Sequence, residues 1–309
     1  MRGIEASRRW YETYGAPMLE REFAAELPRI AVGLAGRGSE CFGFDDELSR
    51  DHDFHIRFLL WITEADERGF GFRLGRAYAR LKKEFPPDDG ATGESMLGDV
   101  EEGVTVIGDF YRRHLGIPGA PENWRQWLYT PEYAFAEAAN GAVFRDDSGV
   151  FTGIRNSLLH DMPEDVRKKK IAARAVQMAQ CGQYDFGRCL KHGEPGAAAL
   201  FLADFVRAAG SMIFLLNRHF MPYAKWMFRA MRQLEKLSDM TDPLEFLLTQ
   251  EADAAVKAEI IEDICLAVAR ELAAQELSDA EGAYLEPHAF AVMKSIRSRE
   301  LRELHVMEG

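Results

Sequence analysis

Small and apolar residues alternate through Arg29-Ile30-Ala31-Val32-Gly33-Leu34, the two-residue period of a strand. Glycines follow at Gly36 and Gly38, where a chain can turn tightly with positive φ. A second run, Phe54-His55-Ile56-Arg57-Phe58-Leu59-Leu60-Trp61-Ile62, is rich in aromatic and branched residues and predicts another strand. Ahead of both, a helical pattern over about 6–27 carries Trp10, Tyr14, Leu19 and Phe23, with an interruption near Gly15 and Pro17. After them, 64–85 predicts a helix with a basic face (Arg73, Arg76, Arg80, Lys82, Lys83), stopped by Pro86-Pro87-Asp88-Asp89-Gly90. A strand at Gly103-Val104-Thr105-Val106-Ile107, a short helix through Tyr111 and His114, and Ala142-Val143-Phe144 before Asp146-Asp147-Ser148-Gly149 complete a small sheet with helices packed on it.

From Phe151 onward leucine, alanine and aromatic residues recur at three and four, across 164–181, 197–218, 222–237, 243–249, 252–272 and 287–304. That describes a helical bundle without a repeat period. The fold class expected is therefore α+β, with a mixed-sheet domain over 1–150, a helical bundle over 151–309, and a small-molecule site in the cleft between them.

The chemistry concentrates in Gly36-Arg37-Gly38-Ser39 and, eleven residues on, Asp51-His52-Asp53. The glycines permit a turn whose backbone amides can face an anion. On a strand, Asp51 and Asp53 would share a face about 7 Å apart along the chain. Both carboxylates could then reach the same divalent ions, which prefer carboxylate and phosphate oxygens. The structural alternative makes the turn an ordinary loop, and the two acids helix caps or solvated loop residues.

In this order, with a strand before and after, the chain resembles the DNA-polymerase-beta-type nucleotidyltransferase superfamily. Its pattern is a strand, a Gly-Ser turn, a variable stretch and Asp-x-Asp leading into the next strand; Gly38, Ser39, Asp51 and Asp53 are the matching positions. The longer text 38–53, with Trp127-Leu128-Tyr129-Thr130-Pro131-Glu132 and 217–226, is similar to an uncharacterised bacterial branch. The resemblance implies that Gly38 and Ser39 hold the β- and γ-phosphates of a nucleoside triphosphate, usually ATP. It implies that Asp51 and Asp53 bind Mg2+ or Mn2+, and that a hydroxyl-bearing acceptor attacks the α-phosphate. Two departures stand out. His52 occupies a position that is usually apolar, and the strand over 103–107 lacks the superfamily's third carboxylate; Asp109 is the nearest candidate after it, with Glu101 and Glu102 before it.

Composition narrows the partners. A formal charge of -12 argues against broad nucleic-acid binding, which rests on neutralising phosphates with Lys and Arg, and suits a cationic small-molecule acceptor. Cys41, Cys181, Cys189 and Cys265 have no zinc-ligand spacing and read as reduced thiols of a cytoplasmic protein. The N-terminus lacks a signal core, and no apolar run is read as membrane-spanning. Arg167-Lys168-Lys169-Lys170 reads as a charged surface turn, because on a helix four consecutive cations point around most of the circumference. Lys225, Arg229 and Arg232 fall at helical spacing beside Trp226 and Phe228; Lys225 and Arg229 could clamp phosphates or form a core edge whose cations reach solvent. His160-Asp161 raises the alternative of a His-Asp metal phosphohydrolase. Further alternatives are an enzyme that nucleotidylates a protein or tRNA, and an inactive nucleotide sensor.

Overall fold

The computed structural model describes residues 3–46, 55–87 and 101–309. The chain forms two compact units: Met1–Glu122 with Ala134–Asp161, and Asn123–Tyr133 with Met162–Gly309. The sequence reading placed a boundary at 150; the first unit runs on to Asp161, and 123–133 belongs to the second.

The first unit is built on a four-stranded sheet, β1 (Ala31–Leu34), β2 (Leu59–Ile62), β3 (Gly103–Val106) and β4 (Ala142–Arg145), in the order β3-β2-β1-β4. β1 pairs antiparallel with β2, Gly33 opposite Leu59, and with β4, Leu34 opposite Ala142. β3 lies parallel to β2, Leu59 opposite Gly103. Of the strand expected over 54–62, Phe54 lies outside the described residues, and β2 starts at Leu59 because the backbone over 55–57 is held by side chains: Arg57 N–H donates to Ser7 Oγ, and the His55 carbonyl accepts from the Arg57 guanidinium. All four β2 residues are buried. Leu60 and Ile62 pack with Trp10, Phe23, Leu74 and Tyr78 on one face, whereas Trp61 stacks on Phe151, ring centroids 3.7 Å apart, and meets Phe110 edge-on at 5.5 Å. A strand covered on both faces reads as a continuous apolar run, as Leu59-Leu60-Trp61-Ile62 does.

The helix Phe72–Glu84 buries Leu74, Ala77, Tyr78 and Leu81, the i, i+3, i+4, i+7 stripe of an amphipathic helix. Its basic face is tied to acids: Arg73 to Glu26, Arg80 to Glu22, and Lys82 to Glu102 at 2.7 Å.

The second unit is helical, with Glu164–Met178, Pro195–Leu216, Ala254–Ala274 and Leu285–Lys294 among its longer helices. Here two sequence expectations are corrected. Pro195–Leu216 is 22 residues long, with an 18-residue stretch of mean hydropathy 1.8, so one helix does meet the length and composition of a membrane span; 67% of that stretch is buried inside the protein. The run 167–170 is no surface turn: Arg167, Lys169 and Lys170 are buried. Each cation meets chain carbonyls instead of water. Lys169 Nζ donates to the carbonyls of His305 (2.8 Å), Val306 (3.1 Å) and Glu308, and Lys170 Nζ to that of Leu128 at 2.9 Å. Arg167 donates to the Leu215 carbonyl at 3.2 Å, and Lys168 to that of Ser295 at 3.2 Å. Leu128 and Leu215 lie in the last turns of their helices, where carbonyls lack intrahelical donors and the helix dipole favours a cation.

Candidate functional site

The register of the sheet gathers four chain segments at one edge of the first unit. β1 ends there in the glycine turn, and β2, β3 and β4 all begin there. Gly36 has φ +110° and Gly38 φ +122°, conformations that side chains rarely adopt. Acids crowd both positions. A Cβ on Gly36 would sit 2.8 Å from Glu101 Oε2, and one on Gly38 2.5 Å from Glu40 Oε1. Asn140, just before β4, fixes the turn from the other side: its Oδ1 accepts from Gly36 N–H at 2.9 Å and its Nδ2 donates to the Gly36 carbonyl at 2.8 Å. Ser39 is half-buried and opens the short helix Ser39–Phe42.

Arg57 is the hub beneath this turn. Buried to 2% exposure, it pairs with Glu40 and donates to the carbonyls of Glu101 (2.7 Å) and Arg37 (3.4 Å). Burial opposes its charge, but Glu40 outweighs that and raises its pKa. One oxygen of Glu40, Oε2, is buried with no hydrogen-bond partner among the described residues.

Glu101, two residues ahead of β3, connects the turn to a second charged chain. Its Oε1 accepts from Arg113 at 2.8 Å, and its Oε2 lies 3.3 Å from His114 Nε2. Burial would raise its pKa, but the hydrogen bonds and charges of His114 and Arg113 prevail and hold it below the usual carboxyl value. His114 Nδ1 lies 3.5 Å from Glu137 Oε2, an ion-pair separation longer than a good hydrogen bond. Burial would lower the imidazole's pKa; Glu101 and Glu137 together raise it. Arg37 Nε closes the chain, 3.5 Å from Glu137 Oε2.

Of the residues singled out in the sequence, Gly38 and Ser39 lie in this turn, while Asp51, His52 and Asp53 lie outside the described residues. Asp109 is exposed on the helix Ile107–Leu115 and pairs with Arg112 on the same helix. Of the acids flanking β3, Glu101 and not Asp109 lies against the turn. Lys225 and Arg229, on the helix Ala224–Met231 of the second unit, are exposed and lie over the Trp226 ring at 5.0 and 5.2 Å. His160 and Asp161 are exposed at a helix end. Among the described residues no three His, Cys, Asp or Glu side chains are grouped to hold a metal ion. The sequence reading missed Arg57, Glu40, Glu137 and Asn140. Arg57 did leave a signal, as a cation inside an apolar run.

Residues 127–227 match the model of a domain of unknown function, DUF4037. No curated protein matches the chain. Among solved structures, a nucleotidyltransferase-like protein from Exiguobacterium sibiricum 255-15 is similar at 13% identity and a TM-score of 0.38, over 92% of this chain and 81% of that one.

Proposed function

We propose that the chain is a nucleotidyltransferase that moves a nucleoside monophosphate, AMP from ATP in the first instance, to a hydroxyl of a small-molecule acceptor. The observation that carries this reading is the shared edge: the positive-φ turn Gly36–Ser39, Glu101 and the chain leading into β2 all lie there. Asp51 and Asp53 precede His55 by four and two residues in the sequence and lie outside the described residues; they are assigned to this site. In this reading backbone amides of 36–39 and the Ser39 hydroxyl receive the β- and γ-phosphates. The described residues alone do not make a metal centre, and Mg2+ or Mn2+ is assigned to Asp51 and Asp53. Such ions supply charge neutralisation for the departing pyrophosphate. Asn140 and Arg57 fix the turn through Gly36 and the Arg37 carbonyl, and the role of the superfamily's third carboxylate is assigned to Glu101, two residues before β3.

A second reading, a nucleotide sensor that transfers nothing, is favoured by one observation: both oxygens of Glu101 are engaged by Arg113 and His114. The two readings separate in one experiment. The purified protein is incubated with each α-labelled nucleoside triphosphate, Mg2+ or Mn2+ and a panel of hydroxyl acceptors that includes aminocyclitols. Transfer is expected, and it is expected to vanish in Asp51→Asn and in Asp53→Asn, which keep size but remove charge. Metal-dependent thermal stabilisation by ATP without any labelled product would establish the sensor. Transfer at an undiminished rate in either variant would remove the assignment.

A further inference from the structure

The second unit contains a pocket of about 520 Å³, within the ~300–1,000 Å³ usual for small-molecule sites. Glu132 forms part of its wall together with Arg174, Ser211, Met221 and Met307. Glu132 is 7% exposed. Its Oε1 accepts from Ser211 Oγ at 2.8 Å, and Ser211 Oγ in turn accepts from Arg174 Nε at 2.9 Å. Arg174 Nη1 donates to Gln177 Oε1 at 2.8 Å, and the closest approach of the guanidinium to Glu132 is 3.9 Å. This relay holds the carboxyl in place: Arg174 gives Nε to Ser211 and Nη1 to Gln177, and its Nη2 comes no closer than 3.9 Å to Glu132 Oε1. Glu132 Oε2 is buried with no hydrogen-bond partner among the described residues.

A buried carboxyl oxygen without a donor carries the full cost of losing water, typically ~1–3 kcal/mol for a polar group and more for a charged one. Glu132 Oε2 is therefore a place where a ligand's donor would recover that cost. The rest of the wall joins apolar surface, from Pro131, Ala208 and the two methionines, to the polar side chains of Gln177, Asp204 and Arg207. We propose that this pocket binds a small molecule bearing a primary amine on an apolar body, the ammonium bonded to the Glu132 carboxyl and the body lying on Met221 and Met307. Arg174 and Ser211 are positioning residues, since they orient Glu132. The inference stands independently of the transferase reading.

Calorimetric titration with phenethylamine, and with 3-phenylpropionate as a body of similar size that has no amine, tests the proposal. The amine is expected to bind and the acid not to. Glu132→Gln keeps the Ser211 contact and is expected to weaken amine binding at least about tenfold, the effect of losing one charge-assisted hydrogen bond. The wild-type protein gives a second readout. Cys181 lines the pocket, whereas Cys189 does not, and burial with Asp204 and Asp185 nearby pushes the Cys181 thiol up to about 11. Alkylation at a mildly alkaline pH that keeps the amine protonated, with reaction time extended for the small thiolate fraction and read by peptide mass mapping, is expected to slow at Cys181 but not at Cys189 when phenethylamine is present. Absence of amine binding at millimolar concentration, equal binding of amine and acid, or unprotected Cys181 would each overturn the proposal.

Discussion

A histidine held between two carboxylates carries a charge that the solvent can remove. The pKa of His114 is raised above its ordinary 6.5, so its stabilising contribution is complete below that value and fades as the pH climbs through the raised one. The pKa of Glu101 is lowered beneath 4.5; its contribution is complete above that value and fades as acid protonates it. The pair is strongest between these limits, and urea melts from pH 4 to 9 are expected to show a stability plateau there. His114→Gln is expected to flatten the alkaline decline. Glu101→Ala is expected to cost about 3 kcal/mol near neutral pH, the usual result of stranding a buried charge; a loss under about 0.5 kcal/mol, typical of exposed sites, would show the pair to be structurally idle. These partners were illegible in the sequence for a simple reason. Glu40, Glu137 and Asn140 are single polar residues in no recognisable motif, and only the placement of β4 beside β1 brings Asn140 to the turn. The glycines were legible because backbone conformation is written into residue type.

Among the elements, the helix Glu164–Met178 departs furthest from expectation. Periodicity located it, and the same rules assigned its cations to water, as is usual for Lys and Arg. What the pattern could not contain is the position of other segments' carbonyls, which replace water for Lys169, Lys170 and Arg167. Lys169→Met keeps the bulk of the side chain but strands the carbonyls of His305, Val306 and Glu308. It is expected to lower stability by about 3 kcal/mol, on the scale of one to three unsatisfied buried groups, and to speed amide exchange over 305–308. Unchanged exchange there would show that the ammonium does not hold this segment. Lys169 is also the group that should respond to base. Burial lowers its pKa from 10.5 to about 8, so the unfolded chain holds its proton longer, and this residue's contribution improves as pH rises between those values. The helix Pro195–Leu216 was legible as the periodic segment 197–218, but its membrane-span length and hydropathy were not, because Asp204 and Arg207 divide its apolar run in the sequence.

For the molecule as a whole, strand periods and the change to a helical pattern gave the α+β class, while the interleaving of the units was hidden. Nothing in the pattern of 123–161 marks Asn123–Tyr133 as belonging with Met162–Gly309. A fragment consisting of 162–309 alone lacks the Leu128 carbonyl for Lys170 and the Glu132 carboxyl for Ser211. It is expected to melt broadly and below the intact chain by calorimetry, and a sharp transition at the same temperature would show 123–133 to be dispensable.

The chain passes from one unit to the other three times, at 122, 133 and 161. Residues 127–227, the stretch that matches a family model, themselves cross that boundary twice. Genes are recombined by cutting along a line, and here no single cut separates one folded body from the other. A crossover between relatives anywhere in 123–161 would give offspring whose second unit has walls of mixed parentage, so lineages carrying this arrangement should inherit the two bodies together and should seldom lend either one to an unrelated partner.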